Sequence, residues 1–136
     1  MLFRSAKMAG VKMIADLPGA TLAGADLQGA RIGVNIRNQG MGQMRTDLSN
    51  ADLSGVNLAG ADLNRSLMAF ANLQRANLRG ANFYRVKLGG ADLSGADVSD
   101  ADFSEADLQG TILRGAIGLD KAKGLDRAEN FDKAVR

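Results

Sequence analysis

The chain has 136 residues, 17 of them Lys or Arg and 15 Asp or Glu, so its formal net charge is only +2 and it projects no strong field. It has no Cys and no His, which removes disulfides, thiolate chemistry, His metal sites and His-based catalytic triads. Hydrophobic residues make up 46% but aromatics only 4%, and Gly is frequent, which points to one domain with a narrow Ala- and Leu-lined interior and many turns.

Residues 1–14 carry no clear repeat. Leu2, Phe3, Met8, Val11, Met13 and Ile14 alternate loosely with Arg4, Lys7 and Lys12. They are expected to cap an open end, as a short helix or an irregular strand. Lys12 interrupts the apolar stretch a secretory signal would need, and no run is long enough to span a membrane, so the expected location is the cytoplasm.

A five-residue phrase begins at Ala15-Asp16-Leu17-Pro18-Gly19 and continues through units centred on Leu22, Leu27 and Ile32. It fails over 33–45, where the frame also slips by one. That stretch reads as two degenerate repeats plus one inserted residue, forming a bulge or small loop. From Thr46 to Gly115 the phrase runs fourteen times without a gap, stated most cleanly by Ala51-Asp52-Leu53-Ser54-Gly55.

A period of five is neither helical nor that of a strand. Within the phrase, however, Ala-Asp-Leu alternates in, out, in, as a short strand does, and the next two residues must then turn the chain. Leu17-Pro18-Gly19-Ala20 has the composition of a type II turn. Half of the fourteen units lack the final Gly and carry Asn50, Arg65, Phe70, Arg75, Arg85, Asp100 or Glu105 there. Positive φ is costly for such residues, so mixed corner types are expected.

The repeated A-(D/N)-L-x-x phrase resembles the pentapeptide-repeat family over roughly residues 15–115. That resemblance implies an all-β fold, a right-handed, four-sided parallel β-solenoid of about five coils with capped ends. Each phrase would make one side and four would make a coil. Residues twenty apart would then stack, placing Leu63, Phe83 and Phe103 in one internal column. The Asp and Asn of the phrase belong to the repeat and are not catalytic carboxylates.

Beyond Gly115 the period becomes six, with Leu119, Ala122, Leu125, Ala128, Phe131 and Ala134 recurring every three residues. This spacing predicts a partly helical C-terminal cap over 116–136, with Asp120, Asp126 and Asp132 as N-caps. A homodimer formed through this end is the alternative.

Two surface features break the pattern. Residues 65–87 carry Arg65, Arg75, Arg79, Arg85 and Lys87 with no acid, whereas 92–107 carry six acids and no base. A solvated surface of mixed sign and electrostatic docking onto a partner both fit. The unit Ser66-Leu67-Met68-Ala69-Phe70 turns Leu67 and Phe70 outward, near Tyr84. Together with the five cations they form the candidate partner contact, unless they pack against the 33–45 loop or a terminal segment of the same chain.

The expected function is a non-enzymatic interaction or scaffold module for a protein partner, with no catalytic, cofactor or metal site. The alternative is a DNA-mimicking gyrase-binding or protection protein, which some members of the family are. Nine acids against six bases over 46–115, a net of −3, make a poor DNA mimic. Direct nucleic-acid binding is weaker still, because one Tyr is no stacking platform.

Overall fold

The structure is a computed structural model and describes residues 2–34 and 45–136. Single-residue parallel bridges join the chain to itself in four columns. The first side stacks Asp16, Asp47, Leu67, Lys87, Asp107 and Glu129. The second stacks Leu2, Thr21, Asp52, Asn72, Asp92, Ile112 and Val135. The third stacks Lys7, Asp26, Asn57, Asn77, Asp97 and Ile117, and the fourth Lys12, Arg31, Asp62, Asn82, Asp102 and Lys123. The result is a four-sided parallel β-solenoid whose sides are too short to register as extended strands.

One unit shows how the backbone is satisfied. Asn72 N–H donates to Ala51 C=O at 2.9 Å, and Leu53 N–H donates to Asn72 C=O at 2.7 Å. At the corner, Val56 N–H donates to Leu53 C=O at 3.1 Å, closing the turn, while Gly55 N–H donates to Gln74 C=O one coil on at 2.9 Å. That leaves the N–H of the first corner residue, Ser54, which donates to Asp52 Oδ1 at 3.0 Å. The same bond recurs from Gln74 to Asn72, Tyr84 to Asn82 and Ser104 to Asp102. The Asp or Asn of the phrase is therefore an Asx-turn acceptor for an otherwise orphan donor. Hydrogen bonds from the hydroxyl and N–H of Ser54 hold the Asp52 carboxyl below its ordinary range, and those of Ser99 do the same for Asp97.

The corners correct the expectation of mixed turns. Asn50, Arg65, Phe70, Arg75, Arg85, Asp100 and Glu105 all have φ between 56 and 61°, as the glycine corners have positive φ. The reason lies in the stack. Phe70 N–H must reach Gly89 C=O (2.9 Å) and Arg75 N–H must reach Ser94 C=O (2.9 Å), which fixes one corner geometry whatever the side chain. Left-handed strain of roughly 1–3 kcal/mol per residue is offset by the bonds that this geometry completes.

The interior is lined by the Leu and Ala of the phrase, nearly all fully buried. Phe83 and Phe103 stack inside with centroids 5.1 Å apart and planes 9° from parallel. Each large side chain buried here contributes about 1.5–3 kcal/mol before entropy is counted. Ser66 occupies a position normally Ala and is fully buried, and its Oγ has no hydrogen-bond partner. Thr46, at the corresponding place of the preceding coil, instead donates from Oγ1 to Ile32 C=O at 2.8 Å and accepts from Ala15 N–H at 3.3 Å.

The ends differ from expectation. Residues 2–14 are neither helix nor irregular cap: Leu2, Lys7 and Lys12 bridge Thr21, Asp26 and Arg31, so the segment is a coil of the same design. Phe3, Met8, Val11 and Met13 fill its interior, half-buried against the core. Its separation of 19 residues, against 20 in the central coils, makes the unit ending at Ile14 one residue short. At the same corner of the next coil the separation becomes 31, from Asp16 to Asp47. The irregular stretch lies between Arg31 on the fourth side and Asp47 on the first, where the two degenerate repeats were expected. Its residues 35–44 lie outside those described.

The tail continues the columns through Lys123, Glu129 and Val135, with 3₁₀ turns Leu119–Lys121, Leu125–Arg127 and Phe131–Lys133 at its corners. Asp120, Asp126 and Asp132 do not cap them. The N-cap positions are Gly118, Gly124 and Asn130, all left-handed. A Cβ on Gly118 would meet Ser99, and one on Gly124 would meet Ser104, so the coil beneath demands glycine there.

The two hydroxyls predict opposite effects in urea unfolding. Ser66→Ala removes an unpaired buried oxygen and should be neutral or raise stability by up to about 1 kcal/mol. Thr46→Val strands the Ala15 N–H and Ile32 C=O and should lower stability by about 1–2 kcal/mol.

Candidate interaction surface

The fold sorts the eight candidate contact residues into two groups. Arg65, Tyr84 and Arg85 share the corner between the fourth and first sides. Leu67 and Lys87 are bridged neighbours on the first side, and Phe70 stands at its far corner. These six residues surround one face. Arg75 and Arg79 occupy the two remaining corners, so the expected ring of arginines around the apolar residues does not form.

The first side departs from the Asx rule at its centre. Leu67 and Lys87 stand where Asp47 and Asp107 stand in the coils before and after. The face exchanges carboxylates for a half-buried Leu and a lysine stem. Phe70 is 67% exposed, the most exposed aromatic among the described residues. Its ring is seated on Gly90 one coil on, where any Cβ would strike the ring edge. Gly89-Gly90, twenty residues after Phe70, was the sequence signal for this seat and is legible only once the coil length is known.

At the opposite corner the guanidinium carbons of Arg65 and Arg85 each lie 5.2 Å from the Tyr84 ring centroid. Stacking of this kind holds the two cations and the ring in one arrangement before any partner arrives.

The basic and acidic zones meet in two ion pairs, and a third joins the basic zone to the tail. Arg79 Nη1 lies 3.1 Å from Asp97 Oδ2, Arg85 Nε 2.6 Å from Glu105 Oε2, and Lys87 Nζ 4.0 Å from Glu129 Oε2. Arg79 and Arg85 each meet an acid of the next coil, whereas Lys87 reaches past Asp107 to Glu129 two coils on. The Arg85 contact holds the Glu105 carboxyl below its ordinary range, and the hydrogen bond to Glu105 raises the Arg85 guanidinium. All three pairs are exposed and add little to stability, but they cancel much of the alternating field that docking by charge would use.

Among the described residues no group of acids could hold a metal ion, and no helix is long and apolar enough to cross a membrane.

The Phe70 seat is testable by a double-mutant cycle. Gly90→Ala should cost about 1–3 kcal/mol in the natural background and distinctly less when Phe70 is Ala, leaving only the strain of positive φ. Equal costs in both backgrounds would place the Phe70 ring elsewhere.

The family model for pentapeptide repeats matches residues 46–83 and 81–117, in eight copies. Among solved structures, the chain is similar to HetL, a pentapeptide repeat protein involved in heterocyst differentiation regulation in the cyanobacterium Nostoc sp. strain PCC 7120. The two are 32% identical with a TM-score of 0.56, and the match covers 98% of this chain and 61% of HetL. The chain therefore spans about three fifths of that protein's length. The pentapeptide repeat protein Rfr23 of the cyanobacterium Cyanothece 51142 is 28% identical over 88% of this chain and 63% of its own, with a TM-score of 0.35. QnrB1, a plasmid-mediated fluoroquinolone resistance protein, is 21% identical over 85% of this chain and 50% of its own, with a TM-score of 0.37. No curated protein matches the chain. With its fold a right-handed β-helical solenoid and its phrase matched over more than half its length, the chain belongs to the pentapeptide-repeat family.

Proposed function

We propose that the chain is a non-enzymatic interaction module, whose rigid solenoid presents its first side and the two flanking corners to a protein partner. The observation that carries this reading is the Phe70 corner: an aromatic ring 67% exposed, held on Gly90 in a fixed orientation. Interfaces draw most of their energy from aromatic and Arg side chains already ordered in the free protein. Phe70, the Tyr84 ring between Arg65 and Arg85, and the Leu67–Lys87 neighbours supply that chemistry on one face.

The alternative, a DNA mimic that binds or protects gyrase, needs a continuous acidic face. Here Asp97, Glu105 and Glu129 are partnered by Arg79, Arg85 and Lys87, so the acidic coil is partly neutralised. Dimerisation through the tail has no comparable observation behind it, since the last aromatic of the tail, Phe131, lies under the Arg136 guanidinium at 4.9 Å.

Affinity capture from native extract with the natural chain and a Leu67→Ser/Phe70→Ser variant tests the face. A protein held by the natural chain should lose about 2 kcal/mol or more of binding to the variant, whose circular dichroism and melting cooperativity stay those of a folded solenoid. Capture of the same partners by both would end the proposal, and recovery of a topoisomerase would favour the DNA-mimic reading.

A further inference from the structure

The two breaks in the five-residue rhythm lie one above the other. The short unit ending at Ile14 and the excursion leaving at Gly33-Val34 share the corner between the fourth and first sides. Beside this corner a groove of about 670 Å³ opens onto the fourth side. Lys12, Arg31 and Arg65 line it, with Met13, Ile14 and Val34 as apolar wall and Asn64 and Asn82 as amides. Gly33 forms its base, pressed so close to Asn64 that a Cβ would overlap that side chain.

The electrostatics of this groove are unbalanced. Lys12 and Arg31 are directly bridged neighbours in adjacent coils, an arrangement that destabilises a sheet when both residues are cations. Neither has an acidic partner among the described residues, and neither does Arg65, which stacks on Tyr84. The one carboxylate in the groove, Asp62, is the next bridged neighbour of Arg31 and offsets one of the three cations; its Oδ1 accepts from Asn64 N–H at 3.1 Å, Asn64 Nδ2 at 2.9 Å and Asn82 Nδ2 at 3.1 Å. Residues 35–44 of the chain contain no acid and one Arg, so the adjoining stretch has no negative charge to offer.

We propose that this groove binds an extended acidic segment of a protein partner. The cations stand on successive levels of the stack, spaced about 4.8 Å apart, so Lys12 to Arg65 covers two steps or roughly 10 Å. An extended peptide advances about 3.3 Å per residue and sends alternate side chains to one face, so two carboxylates on such a segment match the spread of charge. A single small anion does not span it. Met13, Ile14 and Val34 suit the apolar side chains of such a segment. A single-stranded nucleic acid fits less well, because the one aromatic ring in the groove already carries two guanidinium groups.

The groove shares Arg65 and Tyr84 with a flanking corner of the first side, so its test uses Lys12 and Arg31, which lie outside that face. The probe is a fluorescein-labelled peptide of alternating Asp and Ala, followed by anisotropy at low salt, with an Asn-Ala peptide and a single-stranded oligonucleotide as comparison probes. The acidic peptide should bind the natural chain and weaken as salt is raised. Lys12→Glu/Arg31→Glu should lose about tenfold or more of that affinity. Arg75→Glu/Arg114→Glu, which changes the net charge equally at a distant corner, should keep it. On binding, backbone amide shifts should concentrate at Lys12, Gly33, Val34, Asn64 and Asn82. Absence of binding, equal losses in the two variants, shifts centred elsewhere, or tighter binding of the oligonucleotide would each overturn the proposal.

Discussion

The whole structure depends on one requirement: each coil must offer the next a complete set of backbone donors and acceptors at the same positions. A side is only one bridged residue long, so it cannot hold register by itself. Register comes instead from the corners, whose N–H groups also reach the neighbouring coil, as Arg75 reaches Ser94 and Gly55 reaches Gln74. Corner geometry is thus not free to follow local preference. Seven non-glycine corner residues of the central fourteen units, from Asn50 to Glu105, take positive φ because the stack leaves no other way to place their N–H groups.

The same requirement explains the phrase. Ala and Leu fill most of a narrow interior, and Asp or Asn outside closes the last orphan donor wherever the phrase carries one. The surface inherits the coil length: residues about twenty apart become neighbours, so the basic run 65–87 and the acidic run 92–107 meet at Arg79–Asp97 and Arg85–Glu105. Chemistry available to a partner concentrates where the phrase is broken, at Leu67 and Lys87, at Phe70 on Gly90, and at the corner where a short unit and a long excursion coincide.

The in–out–in alternation was legible because it follows from period and polarity alone; the stacked Phe83–Phe103 column was legible only through the twenty-residue coil that the family resemblance implies. The first coil was not, since Phe3, Met8 and Met13 replace the usual Leu and the short unit breaks the frame. The tail's six-residue units announced their 3₁₀ turns, but Asp120, Asp126 and Asp132 were misassigned as caps: contact with Ser99 and Ser104 below, which only the fold creates, gives the capping places to Gly118 and Gly124. At the candidate face, Phe70 and Tyr84 could be singled out as exceptions to the phrase. That Arg75 and Arg79 face other directions required knowing how four units close a coil.

The central claim is that stacking, and not side-chain preference, sets the corner conformation. Arg75 is the sharpest place to test it: it is exposed, makes no ion pair among the described residues, and has φ of 57°. The measurement is the unfolding free energy of Arg75→Gly in urea against the natural chain. Relief of left-handed strain should leave the variant as stable or more stable, by up to about 1 kcal/mol. A loss of about 0.5–1 kcal/mol, the ordinary cost of glycine where φ is negative, would contradict it.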